Sequence, residues 1–397
     1  MNVTSGPLLG QAVALLHKLC GPHGIHASAA STANYRAVFC RDAVMAGVAG
    51  LLAGDATVRQ GLARTLERLR DLQGPEGQIA SNFECPPAGD AAPAVSFGTL
   101  APRLDSASWY LVGVALAARA GAVDPLPFAD SVRRVVRLLD ALEYNGRHLL
   151  YVPAGGNWAD EYLTEGYTLY DQALRAWALA LLADTYDEPR WRAKARAIDA
   201  AVAERFAPDP EAGAPMHPVA SVSPVARRDT FDLAGCALLA LAGLAPSLAT
   251  PALDWIAAHW LAHDRLPPAF HPVIDEAHPD WPALRRYHLY AFRNRPHEYH
   301  NGGVWPVWLG WLALALAERG RADDLARLRA TVAARLAEHP GFAFEEYLHG
   351  VTAAPGGTPH MAYTATGLVF LALADRPATR HLLAARPSHP GSRAPSA

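Results

Sequence analysis

Six segments of helical length in this chain are apolar nearly all the way round, and they alternate with segments that are apolar on one side only. Ala234 to Leu244 and Trp308 to Ala317 contain no charged residue. A helix without a polar face must be buried on every side. The partner segments, such as Val58 to Leu72, Ser131 to Glu143, Glu188 to Arg205 and Ala322 to Glu338, carry Arg, Glu and Asp on one face and belong outside. Twelve helices are predicted, at about 7–20, 39–54, 56–73, 105–121, 125–143, 166–185, 187–206, 229–244, 246–262, 303–319, 321–338 and 360–374. β-Branched alternating runs are scarce, so the chain reads as all-α.

Within five inner–outer pairs the link is only a few residues, as in Ala53-Gly54-Asp55 and Arg319-Gly320-Arg321. Such links end one helix and start an antiparallel neighbour. Pairing the first helix with the last closes a ring, and the period of roughly 60 residues then describes an (α/α)6 barrel, a six-hairpin toroid. An open helical solenoid is the alternative. Residues 1–385 are expected to form a single domain, and the Pro-, Ser-, Ala- and Arg-rich stretch 386–397 a disordered tail.

Ring closure has a chemical consequence. All six inner-helix N-termini face the same end, and the long loops 74–104, 144–165, 207–228, 263–302 and 339–359 wall a funnel there. The loop ends carry Asp, Glu, Trp, Tyr, Asn, Gln and His without a dense basic cluster. That composition suits a neutral, hydroxyl-rich ligand, whose hydroxyls bind carboxylates and amides and whose ring faces pack on aromatics.

Other classes are disfavoured by the totals. With 51% hydrophobic residues, 18% charged residues and a net charge of −3, the chain has no basic excess for nucleic acid or an anionic membrane. The longest apolar runs fall short of the roughly 20 residues of a membrane span, and the first residues lack the features of a signal peptide. Cys20, Cys40, Cys85 and Cys236 lie far apart and read as reduced thiols of a cytoplasmic protein. Without clustered Cys and His, no metal or cofactor is expected.

Glycoside hydrolysis needs one protonated and one ionised carboxyl group. Asp160 lies in Gly155-Gly156-Asn157-Trp158-Ala159-Asp160-Glu161-Tyr162, where neighbouring rings are expected to raise its pKa as a general acid requires. Asp42, Asp105 and Asp171 stand at helix starts, where the dipole favours the charged form; they suit hydroxyl binding or plain capping. The loop Gly341-Phe342-Ala343-Phe344-Glu345-Glu346-Tyr347 offers two candidates for the base.

Glu298-Tyr299-His300-Asn301-Gly302-Gly303-Val304-Trp305-Pro306-Val307 closely resembles a segment of the neutral/alkaline invertases. Further segments resemble that family or the glucosidase part of glycogen-debranching enzymes, in the same order: Phe39-Cys40-Arg41-Asp42, Ala101-Pro102-Arg103-Leu104-Asp105-Ser106, Asn157-Trp158-Ala159-Asp160, Gly166-Tyr167 through Asp171-Gln172-Ala173-Leu174, Phe231-Asp232-Leu233-Ala234-Gly235 and Phe344-Glu345-Glu346-Tyr347. The resemblance implies an (α/α)6 glycosidase with Asp160 as general acid and Glu346 as general base. Arg41, Asp42, Asp105, Trp158, Tyr162, Asp171, Gln172, His300, Asn301, Trp305 and Tyr363 are the expected sugar-binding residues.

Two departures narrow the expected substrate. Invertases follow the catalytic aspartate with an Arg pair, where this chain has Glu161-Tyr162, and the large debranching enzymes carry domains ahead of the barrel for which the residues before Phe39 leave no room. The expectation is an inverting, exo-acting enzyme on a small α-glucoside or oligosaccharide, with carboxyls roughly 6.5–9.5 Å apart. The competing readings are a sugar epimerase or isomerase that uses some of the 17 histidines, and a non-catalytic saccharide-binding toroid.

Overall fold

The computed structural model describes residues 6–385, apart from 31–34, 87–91, 144–145, 210–215, 225 and 287. The expected tail at 386–397 lies outside the described residues. Among the described residues there are fourteen α-helices: α1 (Pro7–Lys18), α2 (Cys40–Ala53), α3 (Ala56–Asp71), α4 (Asp105–Arg119), α5 (Ala129–Ala141), α6 (Leu169–Tyr186), α7 (Pro189–Arg205), α8 (Leu233–Ala242), α9 (Pro246–His259), α10 (Trp281–Leu284), α11 (Pro306–Glu318), α12 (Ala322–Ala337), α13 (Ala362–Leu373) and α14 (Pro377–Leu383). The two beyond the expected twelve are α10, one turn within a rim loop, and the short terminal α14.

Inner helices α2, α4, α6, α8, α11 and α13 pack each against the next, and α13 returns to α2, so the ring is closed and the solenoid alternative is set aside. Helix α1 packs on α13 as its outer partner. The tight links work through left-handed residues: Gly54 (φ 71°) ends α2 and Gly243 (φ 74°) ends α8, each at a dihedral that costs glycine little. Asp55 then caps α3 by accepting from the Val58 amide at 2.9 Å. Every residue of α11 from Pro306 to Ala317 is buried. Its Gly310 meets Gly367 of α13 so closely that an added Cβ would lie 2.6 Å from the Gly367 Cα.

Strict all-α is corrected by a rim of short antiparallel strands. Val38–Phe39, Asn82–Glu84 and Ala94–Ser96 form one sheet; Tyr151–Val152, Gly166–Thr168, Ser221–Val222 and Arg227–Arg228 form another. Runs of two or three residues are too short to show alternation, but they give long loops partners for their backbone groups.

Toward the far end, the axis is filled by Trp109, Trp177 and Trp311, whose ring centroids lie 5.3–6.5 Å apart. The segment from α14 closes over that end: Trp177 Nε1 donates to the Leu383 carbonyl at 3.3 Å and Arg119 to the Leu382 carbonyl at 2.8 Å. The barrel is therefore blind at one end. No described helix is long and apolar enough to cross a membrane.

Candidate active site

At the open end lies a cavity of about 160 Å³ into which both Asp160 and Glu346 face. Asp160 comes from the loop between the Tyr151–Val152 and Gly166–Thr168 strands. Glu346 precedes the Tyr347–Leu348 strand, and Leu348 exchanges two 2.8 Å backbone hydrogen bonds with Val304, which stitches this loop to the start of α11. Glu345 turns away, its carboxylate accepting from the Ala343 amide at 2.8 Å. The cavity side chain of the pair is Glu346.

The two carboxyls sit in different electrostatic settings. Asp160 accepts a 2.8 Å ion-paired hydrogen bond from Arg103 Nη2. Burial pushes the Asp160 carboxyl up, but the charges of Arg103 and Arg41 and this hydrogen bond outweigh it and hold it below the usual value of 3.8. This corrects the expectation that surrounding rings would raise it. Glu346 accepts from the Tyr35 hydroxyl at 2.8 Å and the Thr358 amide at 3.4 Å. Its burial dominates over the Arg293 charge and these bonds, so its carboxyl is raised above 4.5. Without ligand, the group expected to be the acid is the more readily ionised one.

Arg41, Asp42, Trp158, Trp305 and Tyr363 also line the cavity. Arg41 Nη1 bonds Asp105 at 2.9 Å, and its guanidinium lies 5.7 Å from the Tyr363 ring centre. Asp42 Oδ2 and the Tyr363 hydroxyl are buried without a hydrogen bond of normal geometry among the described residues, and the Arg41 guanidinium lies beside both, 3.6 Å from Asp42 Oδ2. Burial raises the Asp42 carboxyl, against the expectation that a helix start would favour its charged form.

The other expected binding residues lie beneath the cavity surface. Asp105 is fully buried, holding Arg41 and accepting from the Tyr170 hydroxyl at 3.2 Å. Asp171 accepts from Asn157 Nδ2 at 2.9 Å and Thr168 Oγ1 at 2.6 Å, and burial pushes it up to about 8, again opposite to a helix-start anion. Gln172 pairs with both backbone groups of Leu150, at 2.8 and 3.0 Å. Asn301 accepts from the Ile274 amide at 2.8 Å and donates to the carbonyls of Ile274 and Asn294 at 2.8 and 3.1 Å. These amides hold backbone: Gln172 from the first turn of α6 and Asn301 from a loop satisfy buried backbone groups of Leu150, Ile274 and Asn294. Tyr162 stacks on Phe270 at 4.3 Å. His300 lies behind Trp305, ring against ring at 5.3 Å; burial lowers its imidazole to about 3, and both ring nitrogens lack a hydrogen-bond partner among the described residues.

Sequence reasoning missed Tyr35, Arg103, Glu161, Arg293 and Tyr299, all on the cavity wall. Arg293 bonds Glu161 through Nε at 3.2 Å and lies 4.0 Å from the Tyr299 ring centre. Arg103 carried a signal, being a lone arginine just ahead of an inner helix; Tyr35 and Arg293 carried none, because only the fold brings them to Glu346 and Glu161.

No family model matches the chain, and no curated protein matches its sequence. By shape it is similar to a GH63 mannosylglycerate hydrolase from Thermus thermophilus in complex with glucose, at 16% identity over 92% of this chain and 99% of that one, with TM-score 0.63. It is also similar to a rhamnosidase from Klebsiella oxytoca with rhamnose bound (15% identity, 92% and 64% covered, TM-score 0.62) and a bacterial glucoamylase complexed with acarbose (13%, 93% and 55%, TM-score 0.60). The architecture of this chain is the six-hairpin toroid of these glycosidases.

Proposed function

We propose that this protein is an inverting, exo-acting glycoside hydrolase of small α-glucosides or oligosaccharides. The observation that carries the reading is that two carboxyl groups from separate loops face one blind cavity walled by Trp158, Trp305 and Tyr363. Its volume of about 160 Å³ lies well below the roughly 300–1,000 Å³ of drug-sized sites, which suits one sugar ring at the end of a chain. The sugars bound by enzymes of the same fold, glucose, rhamnose and acarbose, support a saccharide ligand.

In this reading Glu346 takes a proton from water as the water oxygen bonds to the anomeric carbon, and Asp160 gives its proton to the glycosidic oxygen as that bond breaks. Asp42 and Tyr363 hold hydroxyls of the ring. The neutral His300, with its depressed pKa, is a weak base, which disfavours a histidine-driven epimerase.

A second reading exchanges the two roles. The ion pair to Arg103 favours the ionised form of Asp160 while burial favours the protonated form of Glu346, the arrangement expected if Glu346 were the acid. Glycosyl fluorides separate the two, because fluoride leaves without a proton. The variant that still turns over the fluoride, Asp160→Asn or Glu346→Gln, has lost the acid; the variant that does not has lost the base. Product anomers followed by NMR test inversion. If the wild type turns over neither fluorides nor a broad panel of α- and β-glycosides, the hydrolase reading fails.

A further inference from the structure

Two segments at the rim of the cavity are apolar, and both are anchored beside Asp160. Of the ten large apolar side chains exposed among the described residues, five belong to them: Val95, Phe97, Leu100, Leu289 and Tyr290. Leu289 and Tyr290 line the cavity mouth at 39% and 78% exposure. Thr99 lines it from the other segment, between Phe97 and Leu100. Single exposed apolar residues are ordinary, whereas two at a cavity mouth, with three more in a segment that reaches the same cavity through Thr99, indicate a binding surface.

The anchors set the direction. The Leu289 amide donates to Glu161 Oε1 at 3.3 Å, and Arg293 holds the other Glu161 oxygen at 3.2 Å, so this loop is fastened to the residue that follows Asp160. The Phe97 carbonyl accepts from the Arg103 amide at 2.8 Å, and Arg103 is the ion-pair partner of Asp160. A general acid touches the glycosidic oxygen, so the departing group extends outward from the acid. The ion-pair partner of Asp160, Arg103, and its chain neighbour, Glu161, are the residues that hold these two segments.

We infer that the departing group is apolar: the substrate is an alkyl or aryl glycoside, with Leu289 and Tyr290 covering one side of the aglycone and the 97–100 turn the other. The inference rests on the reading of Asp160 as the acid. An anionic aglycone is disfavoured because the arginines that line the cavity are already paired, Arg41 with Asp105 at 2.9 Å, Arg103 with Asp160 at 2.8 Å and Arg293 with Glu161 at 3.1 Å. A second sugar would call for carboxylates or amides; neither 95–100 nor 289–290 carries one, and the amide on the cavity wall is Asn82, with Ser81 and Thr99 as hydroxyls beside it.

The experiment starts with α- and β-glycosyl fluorides, which carry no aglycone and identify the sugar. Methyl, butyl and hexyl glycosides of that sugar then differ in apolar length with nearly constant leaving-group acidity. The inference expects kcat/KM to rise about tenfold or more from methyl to hexyl, since each buried methylene adds favourable transfer free energy. It expects the double variant Leu289→Ser, Tyr290→Ser to abolish that rise while fluoride turnover stays within about twofold of wild type. A flat series, a disaccharide cleaved faster than the hexyl glycoside, or equal loss on fluoride and hexyl glycoside would overturn it. If neither fluorides nor a broad panel of glycosides is turned over, the hydrolase reading has failed by itself, and calorimetric binding of hexyl against methyl thioglucoside decides: tenfold tighter binding of the hexyl compound, lost in the double variant, upholds an apolar rim, and equal binding or none overturns it.

Discussion

Arg103 Nη2 bonds Asp160 Oδ2 at 2.8 Å while its Nη1 holds the Asn157 carbonyl, also at 2.8 Å, so one guanidinium fixes both the carboxylate and the loop that carries it. The pair makes Asp160 the lower and Glu346 the higher of two coupled titrations, on either side of ordinary carboxylate values. A bell-shaped pH profile reports the two steps whichever residue is the acid, because both assignments act through the singly protonated pair.

Arg103→Met removes the charge and the hydrogen bond that depress Asp160. The expected result is that the acidic limb of kcat/KM moves to higher pH while the basic limb, set by Glu346, stays in place. Profiles of variant and wild type on a methyl or aryl glycoside, whose departing oxygen needs the proton of the acid, check this, and a shift confined to the basic limb would count against it.

Tyr35→Phe should move the other limb. The Tyr35 hydroxyl donates to Glu346 at 2.8 Å and favours its ionised form, so its loss raises Glu346 further and carries the basic limb upward. Hydrogen bonds to charged groups contribute about 1.5–3 kcal/mol, so kcat/KM should fall roughly 10- to 100-fold. A tyrosine that only fills space would lower stability without moving that limb.

The toroid was legible in the sequence because burial of six inner helices leaves a plain mark: segments such as Trp308 to Ala317 with no polar face. The positions of Asp160 and Glu346 in long loops were legible for a similar reason, as carboxyls set among rings with no adjacent base. What each polar residue bonds was not. Asn301 and Gln172 have the residue types of sugar ligands, yet their partners are the backbones of Ile274 and Leu150, 27 and 22 residues away along the chain. Only the folded loops reveal such partners, and the same holds for the electrostatics of Asp160, which depend on Arg103, 57 residues distant.

Asn301→Ala tests that distinction. It orphans a buried amide and two carbonyls, with an expected loss of about 2–4 kcal/mol in stability by urea denaturation. On substrate, the folded fraction should keep its KM within about twofold. A large rise in KM at unchanged stability would return Asn301 to the binding residues.

Asp171 supplies a pH-dependent test of the core beneath the site. Its carboxyl is raised from 3.8 to about 8, so between those values the folded state keeps a proton that the unfolded state has released. Stability from this group is therefore complete below about pH 4 and is lost as pH rises toward 8. His300 has the opposite slope: its imidazole is lowered from 6.5 to about 3, so its neutral form supports folding above 6.5, and that support is lost as pH falls toward 3. Comparing Asp171→Asn with wild type cancels the His300 contribution. An amide matches the protonated carboxyl in shape, and its oxygen remains available to Asn157 and Thr168. The variant should match wild type within about 1 kcal/mol near pH 4 and exceed it by a few kcal/mol near pH 8.5, as measured by urea denaturation at the two pH values. Equal differences at both pH values would mean that Asp171 is ionised in the folded protein at neutral pH, with Asn157 and Thr168 sufficient to solvate its charge.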